Sequence, residues 1–476
     1  VEIDLSRYAG RTIDLTFQVE GPGERPRGQP APSALWGSPA LYSRKAVETR
    51  TAERDGDRPN ILLLGFDTLR ADALGAWGRN PSLTPSLDRL AAQSDVWLDA
   101  YSAFNVTNPS FVSILTGLYG KNHGVYDLKT PLPPGHTTLA EVLSGAGYDT
   151  LAFISASHLG DHNSGLGQGF GRVERSTEHY AAELPVDAAM DWIAGREGKA
   201  KPFFLWLHLF DPHTPHTPPD PFALGLRPAS PAGLGPVREW APFRETGPRA
   251  FDEPILGGHR DLYDGEVAYL DRQTGRLLAF LESRGLLEDT LIAVVADHGE
   301  NLGDHSILYR HAGLWDTTTH VPLMIRWPGR AREGRRLRGL VQTIDLFPTL
   351  VAAAGLEVPP QDGTDLRELT GEGRKGRRVV FAEHADRLGL MARTPGHKFI
   401  LSQGNTLFLP DGAYLYDLKA DPGEEVNLVG RGLPEEKRLR DLLTRWLADR
   451  KRRGPDPKAR ELTEEEKARL KALGYG

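Results

Sequence analysis

Leu291-Ile292-Ala293-Val294-Val295-Ala296-Asp297-His298-Gly299-Glu300 is the stretch that decides how this chain folds. Its first six residues form an unbroken apolar run, the mark of a parallel strand buried on both faces. The run ends in a carboxylate and an imidazole, and ligands of open α/β sheets collect at the carboxyl ends of such strands. Adjacent Asp297 and His298 offer oxygen and nitrogen donors to one divalent cation. A second apolar run, Ile61-Leu62-Leu63-Leu64, leads to Asp67. Read alone, Asp67 is balanced between a metal ligand and the cap of a following helix, because Asp favours N-caps. Between the two lies Thr107, in Val106-Thr107-Asn108-Pro109-Ser110. A proline in the first helical turn places Thr107 at or near a helix N-terminus. There it serves either as a cap or as an alkoxide nucleophile, activated by a metal and by the positive end of the helix dipole. Groups this far apart in sequence point to a site assembled by the fold.

Outward from these strands the pattern alternates. Apolar runs predict strands at 60–66, 150–154, 203–209, 291–296 and 321–327, and helical spacing predicts helices at 84–94, 109–116, 138–146, 185–194, 262–284 and 343–354. Strand–helix alternation of this kind predicts a doubly wound, mostly parallel α/β catalytic domain over residues 59–370. Residues 211–260, rich in Pro and Gly, read as a long surface excursion over the site. Short strands at 378–382, 398–401 and 406–409 and an amphipathic helix at 434–450 predict a smaller C-terminal α+β subdomain over 371–476. Alternating residues Ile3, Leu5, Ile13, Leu15, Phe17 and Val19 read as part of a β-sandwich at 1–43, joined by a charged linker at 44–58.

With 57 basic and 64 acidic residues the net charge is −7, so no basic excess marks a nucleic-acid binder. Cysteine is absent, which removes disulfides, thiolate metal sites and cysteine nucleophiles. No apolar stretch approaches the roughly 18 residues needed to span a bilayer. Val1 opens in a strand pattern with no signal peptide, so an upstream portion is expected. The expected partner is a small-molecule ester, and the composition is compatible with a homo-oligomer.

A second polar cluster, His208-Leu209-Phe210-Asp211-Pro212-His213-Thr214-Pro215-His216, follows the strand at 203–209. Three histidines and an aspartate at one strand end are a stronger signal than a lone histidine, although loop packing would account for half of them. Arg310 and His311 follow Asp297 by a short loop, and a cation and an imidazole close to a metal suit an anionic transition state. Lys121, Asn122 and His123 are ambiguous. His158, His305 and His320 read as structural.

These motifs together resemble the sulfatase-type branch of the alkaline phosphatase superfamily, from Asn60 to the C-terminus. The carrying stretches are Asn60 to Asp72, Thr84-Pro-Ser-Leu-Asp88, Thr107-Asn-Pro-Ser110 with Leu115-Thr-Gly117, Asp211-Pro-His213, Asp297-His-Gly-Glu300, Val321 to Gly329, Tyr416 to Gly423, Asn427-Leu428 and Leu473-Gly-Tyr475. The resemblance implies a metal-dependent ester hydrolase or transferase in which Asp67, Asp297 and His298 hold the metal and residue 107 is nucleophile and further ligand. It also suggests a periplasmic or extracellular setting.

The chain departs from true sulfatases where it matters most. Those enzymes convert a Cys or Ser in Cys/Ser-x-Pro-Ser-Arg to formylglycine, whereas here Thr107 stands at that position and Phe111 at the Arg. The family's expected lysines correspond to Ala156 and to Arg310-His311. A threonine nucleophile is similar to the phosphodiesterase and phosphoethanolamine-transferase branches. The expected activity is therefore hydrolysis of diester-type phosphate or phosphonate esters through a phospho-threonine. Thr107, His213, His311 and Arg310 would be catalytic, and Asn108, Lys121 and His208 would bind substrate. Zinc is the expected metal, with manganese or calcium as alternatives. A second metal on Asp211, His213 and His311 stays open, because the spacing Asp211…Pro215 misses the usual Asp-x-x-x-His pattern. The rivals are a sulfate-ester hydrolase without formylglycine and an inactive glycan- or lipid-binding homologue.

Overall fold

The computed structural model describes residues 58–175, 181–196, 201–220, 222, 253–329, 333–370, 373, 375–403 and 411–450, with single residues beyond. The sandwich expected at 1–43, most of the linker at 44–58 and the strand expected at 406–409 lie outside them.

Among the described residues eight strands build the central sheet: β1 (Asn60–Phe66), β2 (Asp95–Trp97), β3 (Asp149–Ile154), β4 (Arg172–Arg175), β5 (Phe203–Leu209), β6 (Thr290–Ala296), β7 (Leu323–Arg326) and β8 (Arg335–Leu337). Their order is β8-β2-β7-β6-β1-β5-β3-β4. β1 sits between β5 and β6 and is parallel to both. β7 is the antiparallel member, pairing that way with β6 and β2. The sheet is thus mostly parallel, as the apolar runs predict.

Because side chains alternate across a strand, one run feeds two cores. Ile61 and Leu63 of β1, with Ala293 and Val295 of β6, face helices α2 (Thr107–Thr116), α3 (Leu139–Gly145) and α6 (Leu346–Ala353). Leu62, Leu64 and Phe66, with Ile292 and Val294, face α1 (Pro85–Ala91), α4 (Glu183–Ala194) and α5 (Glu253–Ser283). Every strand residue of β5 and β6 is buried, which explains why both read as continuous apolar runs. The excursion is shorter than its composition suggests. Helix α5 begins at Glu253, ahead of the expected 262, and residues 223–252 lie outside the description.

A second sheet of four consecutive antiparallel strands, β9 (Val380–Glu383), β10 (Gly389–Arg393), β11 (His397–Ser402) and β12 (Gly412–Asp417), follows. Leu439 and Leu443 of α7 (Pro434–Ala448) pack on its Phe399 and Leu415. Buried Lys398 links this sheet to the loop beyond β6. Its Nζ lies 2.5 Å from Asp316 Oδ1 and 2.7 Å from Glu424 Oε1, and Arg393 joins Asp316 at 3.3 Å. An ammonium so buried requires paired carboxylates, and here the pairing fixes the segment that carries His311.

Candidate metal centre and nucleophile

The parallel register brings three strand ends together. Ladder bonds run one residue past the strands: Asp67 N donates to Leu209 O at 3.0 Å, and Asp297 N to Phe66 O at 3.1 Å. Both carboxylates therefore leave the sheet side by side. The chain must then turn sharply, and Thr68 takes a left-handed φ of 51°, costly for a β-branched residue. Two contacts hold it there. Its N–H donates to Asp297 Oδ1 at 3.2 Å, and its carbonyl accepts from Tyr263 Oη at 3.0 Å. Arg70 clamps the neighbouring loops, donating to Glu300 O at 3.1 Å and to Asp304 Oδ2 at 2.6 Å.

Helix α2 delivers Thr107 as its first residue. Gly65 permits the approach: a Cβ there would stand 2.7 Å from the Phe111 ring, so only glycine lets α2 lie this close to β1. Ser110 donates to the Asp297 carbonyl at 2.6 Å, and Ser102 donates to the same oxygen, locking helix to strand end. Thr107 Oγ1 comes within 3.3 Å of His298 Nε2. No side chain caps the start of α2, so its first N–H groups and positive dipole end are available to an anion.

Asp67, Asp297 and His298 offer ligand atoms that all lie within 4.8 Å of one another, and all three side chains are buried. Both Asp67 oxygens and Asp297 Oδ2 have no hydrogen-bond partner. Buried carboxylate oxygens without partners are expensive, and a divalent cation would satisfy all of them. His298 fits the same purpose. Its Nδ1–H donates to Gly299 O at 2.9 Å, which fixes the neutral tautomer that presents Nε2, 3.3 Å from Asp297 Oδ2. The residues present therefore fit a metal.

Electrostatics agrees with this geometry. Burial, then the Asp297 and Glu300 charges, pushes the Asp67 carboxyl well above its ordinary range. Burial pushes Asp297 up to about 8. The imidazoles move the other way. Burial holds His158 and His208 down at about 3 and puts His213 and His298 well below the usual range. Burial disfavours every charged form here, so the carboxylates need a compensating positive charge to ionise, while the neutral imidazoles keep a lone pair for a metal.

The remaining expected residues divide. His311 and His213 join the centre, with His311 ring centroids 4.5 Å from His298 and 5.0 Å from His213. His208 Nε2 stands 3.6 Å from Asp67 Oδ2. Asp211 is directed elsewhere. Its Oδ2 accepts from Ala182 N at 2.8 Å and its carboxyl is hydrogen-bonded to Glu266 of α5, burial raising it to about 6. A second metal on Asp211 thus finds that carboxyl already engaged, and among the described residues the ligand group consists of Asp67, Asp297 and His298. Lys121 also departs from its expected substrate role. Its ammonium donates to the carbonyls of Trp446 and Asp449 (2.6 Å to Asp449) and lies over the Trp446 ring, at the end of α7. Exposed helix-end carbonyls attract a cation, so the lysine serves as a C-terminal cap. Asn108 uses its amide N–H groups on Leu128 O and His158 O, at 3.1 and 2.9 Å, and so braces loops around the pocket. The Arg310 side chain lies outside the description.

Sequence reading missed two residues here. Glu300 is fully buried with Oε1 3.2 Å from His311 Nδ1. His158, read as structural, is buried close enough to interact with the charges of His213, His298 and His311. Where true sulfatases carry arginine and lysine, Phe111 packs on His208 at 5.0 Å and Ala156 is buried in the core.

Comparison with known proteins extends this geometry. The family profile described as Sulfatase matches residues 59–356, more than half of the chain. The chain belongs to the sulfatase family. In this family member a second profile, the C-terminal region of N-sulphoglucosamine sulphohydrolase, matches residues 303–453. A multifunctional alkaline phosphatase superfamily protein of Trinickia caryophylli is 27% identical, covering 78% of this chain and 91% of that one. An arylsulfatase of Clostridium perfringens is 25% identical, covering 83% and 95%. Among solved structures, the phosphonate monoester hydrolase of Agrobacterium radiobacter superposes with a TM-score of 0.68 at 23% identity, covering 85% of this chain and all of that one, a likeness of fold. The family is one of metal-dependent hydrolases, in keeping with the Asp/Asp/His group. No helix among the described residues is long and apolar enough to cross a membrane.

Proposed function

We propose that this sulfatase-family hydrolase cleaves diester-type phosphate or phosphonate esters through a covalent phospho-threonine on Thr107. The observation that carries the reading is the placement of the Thr107 hydroxyl beside the buried Asp67–Asp297–His298 group, at the uncapped start of α2.

Asp67, Asp297 and His298, with Thr107 as a further donor, would hold one zinc or manganese ion. A mixed set with a nitrogen donor suits these ions, whereas calcium favours six to eight oxygens. Such an ion supplies positive charge that lowers the hydroxyl pKa and neutralises a non-bridging oxygen. Thr107 Oγ attacks phosphorus in line as the bond to the ester oxygen breaks. His311 flanks the centre and donates to the departing oxygen, while the neutral His213 ring packs beside it, with Nδ1–H on Thr214 O. Water then cleaves the phospho-threonine and frees Thr107 Oγ for the next turnover. Phe111 and Ala156 leave the pocket with fewer cations than a sulfatase of the formylglycine type. That favours a monoanionic diester or phosphonate ester over a dianionic monoester.

Turnover by one metal-loaded preparation of an aryl phosphodiester, an aryl phosphonate, an aryl phosphate monoester and an aryl sulfate tests the preference. We expect kcat/KM for the diester or phosphonate to exceed that for the sulfate by at least about tenfold, a transition-state difference of about 1.4 kcal/mol. A sulfate preference of the same size would establish the second reading, a sulfate-ester hydrolase, which the likeness to an arylsulfatase favours. Purified protein that takes up no metal under metal-replete conditions and turns over none of the esters would leave the inactive binding homologue.

A further inference from the structure

Glu300 has no place in the site as built so far. It is fully buried, and neither carboxylate oxygen has a hydrogen-bond partner; Oε1 stands 3.2 Å from His311 Nδ1, an ion-pair distance. Burial of such a group is tolerated when a partner compensates it. Metal ligation is the obvious rival explanation, but the ligand atoms that cluster within 4.8 Å belong to Asp67, Asp297 and His298, without Glu300.

The backbone shows how the contact arises. Asn301–Leu302 and Leu308–Arg310 form a two-stranded antiparallel hairpin in which Asn301 pairs with Arg310. Glu300 and His311 immediately flank that pair, so the hairpin closes them onto one another. The imidazole is then held in place by its neighbours. Asn105 Nδ2 donates to the His311 carbonyl at 2.6 Å, and Asn301 Nδ2 donates to Ala312 O at 3.0 Å. The ring stands against His298 and His213.

We propose that Glu300 is a positioning residue for His311, the two forming a carboxylate–imidazole pair that delivers a proton to the leaving-group oxygen. The inference rests on the esterase reading above and deepens it. A carboxylate at Nδ1 holds a proton on that nitrogen and leaves exchange chemistry to Nε2. As the deprotonated Thr107 Oγ bonds to phosphorus and the ester P–O bond breaks, the departing oxygen takes the Nε2 proton and leaves as a neutral alcohol or phenol. His311 is then neutral, with its proton on Nδ1 facing Glu300. When water attacks the phospho-threonine, His311 Nε2 accepts a water proton as the bond from phosphorus to Thr107 Oγ breaks and Oγ departs as the alkoxide, so the cycle closes with no external reagent.

Proton delivery matters in proportion to the basicity of the departing oxygen, and this separates the proposal from a structural role. The experiment compares wild type and Glu300→Gln, both zinc-loaded, on phosphodiesters with leaving groups from nitrophenol to simple alkanol. We expect kcat for the alkyl ester to fall about 100-fold in Glu300→Gln, within the usual range for general acid catalysis, and kcat for the nitrophenyl ester to fall only a few-fold. KM and zinc content should hardly move. Histidine 15N NMR of the wild type should show His311 protonated at Nδ1, with that resonance shifted in Glu300→Gln. An equal loss across the series would overturn the proposal, as would no loss at all or a variant that no longer holds zinc. A wild type that hydrolyses no member of the series would defeat the esterase reading itself, while the NMR signal would still decide whether Glu300 holds the ring.

Discussion

Thr107→Ala should lower kcat by on the order of 10⁴-fold or more, the loss that follows removal of a covalent nucleophile. The fold should survive the change. Thr107 is the first residue of α2, where Val106 occupies the capping position, so no side-chain cap bond is lost. Removing one hydroxyl and one methyl group from this buried position should cost on the order of 1 kcal/mol, well within the stability of a protein this size. The metal should also remain, because the two carboxylates and the imidazole that surround Thr107 are untouched. Thr107→Ser keeps the hydroxyl and should recover most of the lost rate. Parallel measurement of kcat, zinc content and thermal midpoint separates a lost nucleophile from a lost fold. Near-wild-type turnover by Thr107→Ala would dismiss the assignment.

Removal of the metal should silence the enzyme and also change the way its stability depends on pH. Stripping with a chelator should abolish turnover, with zinc or manganese restoring it and calcium alone failing. In the metal-free protein burial holds the Asp297 pKa at about 8, against an ordinary value of 3.8. Between those pH values the folded state retains a proton that the unfolded state has released. At this carboxyl the unfolded chain therefore binds fewer protons, and its contribution to stability falls as pH rises through this window; the buried neutral histidines contribute with the opposite sign up to about 6.5, alike in stripped and loaded protein. In the metal-loaded protein these carboxylates are ionised in folded and unfolded states alike across the window, so they leave its stability level while metal binding strengthens as the stripped site loses its protons. The gap in thermal midpoint between loaded and stripped protein should therefore widen from pH 5 to pH 8. At zinc concentrations near a thousand times Kd the stabilisation amounts to about 4 kcal/mol. A gap that narrows with rising pH would contradict burial of these carboxylates at the metal.

The parts of this site that sequence exposes are those governed by short-range rules. Asp297-His298 and Asp67 stand out because fully buried parallel strands leave an apolar run, and the first polar residue marks the strand end. Thr107 is legible because Pro109 marks the opening turn of a helix. What stays hidden depends on tertiary closure. Asp211 looks like a ligand beside His213, but its partner Glu266 comes from the long helix α5, which no local spacing connects to it. Lys121 lies next to the nucleophile helix in sequence, yet its ammonium belongs to the end of α7, more than 300 residues away. Glu300 was in plain view in the motif, but its contact with His311 appears only once the hairpin folds back. The same holds for the fold. The antiparallel direction of β7 and the strand β10 carry no apolar run that distinguishes them, whereas β1, β5 and β6 do.

The most direct test of Thr107 as nucleophile is acid-quenched mass spectrometry of the zinc-loaded enzyme, caught in the steady state with an activated aryl phosphodiester or phosphonate. The expected result is a phosphoryl or phosphonyl adduct on the peptide that spans residues 107–116, located on Thr107 and absent from Thr107→Ala. An adduct on any other side chain, or rapid turnover in which no adduct forms and water is incorporated with inversion at phosphorus, would contradict it.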